Sequence, residues 1–425
     1  MTLLLLPFSA RAAGPILVDT DSTGQAVLWK DGIIHINLES GSGATLGQLS
    51  SDDAIQLVHD FFQEWQEVTI NGVLTANITL DEGASLGSVT VDNMNDHFTY
   101  CPSDESCPTE DSPFVVGSAR TGQSPILFDD DGSMTDAVQG AGASQSILWF
   151  AGPCVVERTD GVLYITEGQA IMNGRFINGI DSSSDPEVTI DEFKGAIFHE
   201  MGHFIGLDHT QVNLSSVVNY LNGDTSEKSA IPTMLPLFVD GLEQLSPHFD
   251  DVVAISSLYP SADFAATTCR LEGTAFLSDG TTELQGVNVI ASNSADALLE
   301  ATSYVSGSLY TGYTGNCDAE VGDFTIYGLR PGQSYVLNIE TISQAFTGGS
   351  SVEPCDPPQE DFDRTTIPGT FSCASAAEVI TSGTDATTEV TTTKASTDPT
   401  TDPTDEGGSS SSSSGGCALI PQENP

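Results

Sequence analysis

Residues 199–209 read His199-Glu200-Met201-Gly202-His203-Phe204-Ile205-Gly206-Leu207-Asp208-His209, and no other stretch limits the fold so tightly. From Thr189 to Phe204 the apolar residues have helical spacing, with Thr189 and Glu192 at capping-box positions. On such a helix His199 and His203 stand at i and i+4, so both imidazoles leave one face. Neutral imidazoles suit zinc at about 2.0–2.1 Å. Gly206 permits a sharp, left-handed turn that ends the helix. That turn can swing His209 back as a third ligand. Glu200, beside the first ligand, is set to point at a metal-bound water. Three His ligands leave one tetrahedral position open, which marks a catalytic rather than a structural zinc. The alternative is three histidines that happen to share one amphipathic helix. Five fixed positions occur by chance on the order of one time in ten thousand or fewer. Three of the chain's seven His fall in this stretch.

Charge narrows the setting. The chain has 425 residues, 60 Asp+Glu against 11 Lys+Arg, and a formal net charge of −49. Nucleic acid and acidic membrane surfaces are excluded as expected partners, because no basic patch can neutralise phosphates. No apolar run reaches bilayer-spanning length. Self-repulsion of this size is relieved by salt or divalent cations. A salt-rich or calcium-containing extracellular setting is therefore expected, the plainer alternative being an acidic secreted protein kept soluble by its charge. Leu3 to Leu6, Pro7 and Phe8 form a short apolar stretch, and Ala10-Arg11-Ala12 offers a small-x-small cleavage site. Residues 1–12 are accordingly read as a signal peptide, although no Lys or Arg precedes the apolar run. A frayed apolar terminus is the other reading. Eight scattered Cys without a CxxC pair favour an oxidising compartment. Their connectivity is not deducible.

The expected class is α+β, a mixed twisted sheet with an active-site helix, followed by an all-β sandwich and a disordered tail. A first domain spans 13–262. Strand alternation runs over Ala26–Leu38, and further strands are expected at Val73–Leu80, Pro125–Phe128 and Ser146–Phe150. A helix covers Asp52–Val68, with Ser51 as its cap, and a last helix covers Phe249–Leu258, stopping before Pro260. A second domain spans 267–392, where short β-rich runs at Gly286–Ala291, Gly322–Tyr327, Ser334–Ile339 and Val379–Ile380 suggest an antiparallel sandwich. Residues 393–425 are mostly Thr, Asp, Pro, Gly and Ser and cannot bury a core, so they read as a disordered stalk.

The motif HEMGHFIGLDH fits HExxHxxGxxH, and the chain resembles the metzincin zinc proteases. The matrixin-like branch is the nearest likeness, through Asp208 and through Leu245-Ser246-Pro247-His248-Phe249-Asp250-Asp251 with Leu258-Tyr259-Pro260. Metzincins place a Met in a tight turn beneath the zinc. Ile231-Pro232-Thr233-Met234-Leu235-Pro236 looks like that turn, with Met234 as its Met; an ordinary core Met in a proline-bounded turn is the alternative. Met234 follows His209 by 25 residues, so Gln211–Ser229 reads as an inserted loop bordering the cleft. The resemblance implies zinc bound by His199, His203 and His209, Glu200 as general base, and protein or peptide substrates. Two further readings stay open: a non-catalytic binding or adhesion protein on the same scaffold, and a zinc hydrolase of a non-peptide substrate. Only about sixteen residues separate Ala12 from Trp29, so a matrixin-type propeptide with a zinc-blocking Cys is not expected. Cys101, Cys107 and Cys154 read as disulfide partners.

Asp129, Asp131 and Asp136, around Gly132, form a candidate calcium loop, which the resemblance supports; a solvated acidic turn is the other reading. Glu167 and Asn173-Gly174-Arg175-Phe176 look like framework. Gly286–Ala291 and Gly322–Tyr335 resemble a carboxypeptidase-regulatory-like sandwich, with Cys269, Cys317, Cys355 and Cys373 available as two staples. Ser409–Ser414, Gly415, Gly416 and Cys417 resemble a C-terminal sorting signal of some Gram-negative bacteria, but the hydrophobic helix and basic end of such signals are missing. The expected location is extracellular or at the cell surface of such a bacterium, with attachment through the tail or Cys417 as a spare thiol.

Overall fold

The computed structural model describes residues 14–19, 25–41, 43–97, 115–116, 122–182, 187–236, 241–242, 244–307, 321–342, 364–381 and 390–391. The expected signal peptide at 1–12, the expected tail at 393–425 and Cys101, Cys107, Cys317, Cys355 and Cys417 lie outside them.

A central, mainly parallel sheet organises the first part of the chain. Its strands are β1 (Ile33–Leu38), β2 (Thr79–Glu82), β3 (Pro125–Asp129), β4 (Trp149–Thr159) and β5 (Val162–Asn173). They run in the order β2-β1-β3-β5-β4, with Val115–Val116 outside β4. β1 is parallel to β2 and β3, and β3 to β5. β4 pairs antiparallel with β5, and Val115–Val116 runs parallel to β4. The expected strand over Ala26–Leu38 is interrupted at Asp31 and Gly32, which have φ of 57° and 70°. The segment before the break, Leu28–Trp29, pairs with β5 instead.

Three helices enclose this sheet: α1 (Ser51–Gln66), α2 (Ser133–Gln139) and α3 (Ile190–Ile205). Ser50, not Ser51, caps α1: its Oγ accepts the Asp53 N–H at 3.3 Å. The Ser51 hydroxyl is buried without a partner among the described residues, because the chain enters one residue earlier than its polar spacing suggested. α3 starts with a full capping box between Thr189 and Glu192. Almost all of α3 is buried, so it is a core helix rather than a surface one. Phe198 and Phe204 meet Trp65 and Trp29 in stacked pairs. The indoles of Trp29 and Trp65 donate to the carbonyls of Phe204 and Phe198.

The inserted loop after residue 210 contains a helix, α4 (Leu214–Leu221), and α5 (Phe249–Leu258) follows with the bounds expected from its sequence. The C-terminal β-region carries β6 (Cys269–Phe276), β7 (Val287–Asn293), β8 (Ala301–Val305), β9 (Asp323–Leu329) and β10 (Tyr335–Thr341). One sheet holds β9 and β6 with Val379–Thr381 and Val390–Thr391; the other holds β8, β7 and β10 with Thr365–Thr366. Leu271 and Ile326 from the first share one buried cluster with Val289 and Leu337 from the second. Cys269 and Cys373 form a disulfide across this region. Cys154 is buried in β4. No helix among the described residues is long and apolar enough to cross a membrane.

His248 couples the two parts and gives a pH-dependent signature. Its Nδ1 accepts the Asp250 N–H at 3.4 Å at the start of α5, and its Nε2 faces the Leu298 carbonyl at 3.1 Å. An accepting Nδ1 and a donating Nε2–H describe the neutral ring. Burial pushes its pKa down to about 4. A depressed His pKa gives stability that is present above the unfolded value near 6.5 and lost as pH falls through the folded value. The acid limb of stability between about pH 6.5 and 4 is thus expected to flatten in His248→Gln. Urea midpoints across that range measure it, and an unchanged slope contradicts it.

Candidate metal centre

His199 and His203 lie on successive turns of α3, and both rings are buried. The helix stops at Gly206, whose φ is 111°. Gly206 N–H reaches the carbonyls of Gly202 and His203, and Leu207 N–H returns to Gly202. This left-handed cap reverses the chain within three residues. His209 thereby arrives opposite the helix face. The His203 Nε2 lies 3.0 Å from the His199 Nε2 and 3.0 Å from the His209 Nε2. Among the described residues these three form the one group of His, Cys, Asp or Glu close enough together to hold a metal ion.

Hydrogen bonds on the far side of the rings decide what the near side can do. The His199 Nδ1 lies 2.7 Å from the Thr233 carbonyl, and the His203 Nδ1 lies 2.8 Å from the Leu207 carbonyl. A carbonyl only accepts, so both Nδ1 atoms carry the proton. Burial pushes His199 down to about 3, with help from His203, and burial pushes His203 down to about 4. Both are neutral at pH 7, and their Nε2 atoms carry lone pairs. Two lone pairs at 3.0 Å cannot hydrogen-bond to each other. They repel unless a cation lies between them. Two ligands of a tetrahedral ion at about 2.0–2.1 Å stand about 3.3 Å apart, close to the spacing seen. The donor set therefore fits a metal ion.

Met234 is fully buried, with its sulfur against Gly202 of α3. A Cβ on Gly202 would collide with the Met234 sulfur, so the glycine lets the Met approach the helix between the two ligand turns. The turn is held from α5: the Asp251 carboxylate accepts the amides of Thr233 at 2.9 Å, Met234 at 3.1 Å and His248 at 2.7 Å. The Thr233 carbonyl that orients His199 thus sits on a pinned peptide. Tyr259 hydroxyl donates to the Ile205 carbonyl at 2.6 Å and secures the end of α3. Asp208 Oδ1 accepts the His209 N–H at 2.7 Å.

Glu200 is fully buried, and its Oε2 accepts the Ala151 N–H of β4 at 2.9 Å. It follows His199 directly, and a strand amide fixes one carboxylate oxygen.

Asp129, Asp131 and Asp136 are not gathered into an ion-holding set. Asp129 is buried and accepts the amides of Met134 and Thr135 and the Thr135 hydroxyl, so it closes the first turn of α2. Asp131 accepts Ser133 N–H, and Asp136 accepts the amides of Gly142 and Ser144. Each of the three thus has at least one oxygen bonded to local backbone. Asn173 is framework as expected, bonding the carbonyls of Ser144 and Ile147, and Glu167 accepts Gly122 N–H. The sequence reading missed the roles of Asp251, Thr233 and Tyr259; the signal lay in Asp250-Asp251 at the start of α5, where a carboxylate can reach back to free amides. Comparison with known protein families, with curated proteins and with solved structures finds no match.

Proposed function

We propose that the chain is a zinc-dependent endopeptidase of the metzincin type, matrixin-like in its active-site segment, that works outside the cell. The observation that carries this reading is the convergence of three Nε2 atoms, two with tautomers fixed to present lone pairs. An all-imidazole set suits zinc. When bound, zinc supplies Lewis acidity to a substrate carbonyl and lowers the pKa of its water toward about 7. Glu200 takes the proton of the attacking water and delivers it to the leaving amine. The Ala151 amide holds one Glu200 oxygen in place. Met234 does no proton chemistry; it supports the two helix ligands from below. The C-terminal β-region is read as a carboxypeptidase-regulatory-like sandwich. The Cys269–Cys373 bridge favours an oxidising location.

The test is cleavage of an unfolded protein by the full chain. Cutting that stops with a zinc chelator and returns with added zinc is expected. Cutting that ignores the chelator contradicts the reading, as does absence of cutting by a zinc-loaded chain.

A further inference from the structure

The third ligand differs from the other two. The Nδ1 atoms of His199 and His203 each meet a carbonyl, whereas the His209 Nδ1 is buried without a partner among the described residues. Among the described residues no hydrogen bond on the far side of this ring sets its orientation. What fixes it must be the backbone that carries it.

That backbone is tied to the C-terminal β-region. Thr210 N–H donates to the Met234 carbonyl at 2.9 Å. The Thr210 hydroxyl donates to Asp250 Oδ2 at 2.6 Å and accepts the Val212 N–H at 3.2 Å. The other oxygen of Asp250 accepts the Ser303 N–H of β8 at 2.9 Å. Gln211 donates to the Glu340 carboxylate at 2.8 Å and to the Thr341 carbonyl at 2.9 Å, both on β10. Val212 is fully buried and shares a small apolar cluster with Ile290 and Ala301 of β7 and β8. Asn213 donates to the Leu298 carbonyl at 2.7 Å. Gln211, Val212 and Asn213, three successive residues, therefore contact the second region, and Thr210 reaches it through Asp250.

We propose that the C-terminal β-region completes the metal centre, with Thr210 and Gln211 as positioning residues that hold His209 through Asp250, Ser303 and β10. This rests on the reading of the three histidines as a zinc site. The region is then part of the site's framework rather than a tethered accessory. A ligand without its own outer hydrogen bond gains its order from such a brace. Loss of outer partners of a ligand typically costs about 10–100-fold in metal affinity.

The test is zinc affinity of the full chain by competition with a chromophoric chelator, and the visible spectrum after cobalt substitution. Thr210→Val keeps the side-chain shape and removes the hydroxyl. It is expected to weaken zinc binding at least about tenfold and to alter the cobalt spectrum, and Thr210→Ser is expected to restore both. Gln211→Ala, which cuts the strut to β10, is expected to act in the same direction. Arg330→Ala is the control: its guanidinium stacks on Phe249 of α5 at 5.1 Å, in the same interface but off the ligand segment. It is expected to lower the melting temperature without moving zinc affinity. Wild-type affinity in both Thr210→Val and Gln211→Ala overturns the brace while the zinc site stands. Equal weakening by Arg330→Ala also overturns it, since general loosening then suffices. A wild-type chain that binds no zinc overturns the zinc reading and the brace together.

Discussion

Glu200→Gln is expected to bind zinc as the wild type does and to lose hydrolysis by about 10²–10⁴-fold. Glutamine keeps the size of the side chain and can still accept the Ala151 N–H, so β4 and α3 stay in register. What it lacks is a basic oxygen. None of the three ring positions depends on Glu200, since their partners are the carbonyls of Thr233 and Leu207 and the turn at Gly206. Metal retention with loss of turnover separates the proton-transfer role from site assembly. Turnover within a few-fold of wild type would remove Glu200 from the chemistry.

Asp251→Ala is expected to be among the most damaging single changes outside the histidines. It leaves the amides of Thr233, Met234 and His248 without their acceptor. A buried amide left unpaired costs about 1–3 kcal/mol, so three together cost about 3–9 kcal/mol. That corresponds to a fall of at least about 6 °C in melting temperature. Zinc affinity is expected to fall as well, because the Thr233 carbonyl that aligns His199 loses its anchor. A thermal melt and a zinc titration of Asp251→Ala check both effects. A melting temperature within about 2 °C of wild type contradicts the count of bonds, since it leaves less than about 1 kcal/mol for three amides.

The helix that carries His199 and His203 was legible because local signals agreed along it. Thr189 and Glu192 mark its start, Gly206 its end, and the i, i+4 histidines one face. α5 was legible for the same reason, with its boundary set by Pro260. The long hairpin of β4 and β5 was not: only Ser146–Phe150 was expected to be extended there. Its strands span 11 and 12 residues and are buried on both faces over much of their length, so the two-residue alternation is lost. The turn signal was present. Asp160 and Gly161 have φ of 52° and 88°, the left-handed pair that joins two-residue hairpins. The break at Asp31-Gly32 carried a similar signal. The convergence of the three histidines and the turn at Gly206 could be read from eleven residues, but what steadies them could not. Asp251, Asp250 and Ser303 reach the site from segments far along the chain. Such contacts exist only after the core of α3 and the β-region have docked. In the acidic loop at 129–136 the carboxylates bond nearby amides, which their spacing did not foretell.

The most direct measurement is zinc content per chain by elemental analysis after exhaustive dialysis, for wild type, Glu200→Gln and His203→Ala. His203 is the ring within 3.0 Å of both others, so its loss opens the centre. The account predicts one zinc per chain in the first two proteins and none retained in the third. Retention of zinc by His203→Ala, or its absence from the wild type, would contradict it.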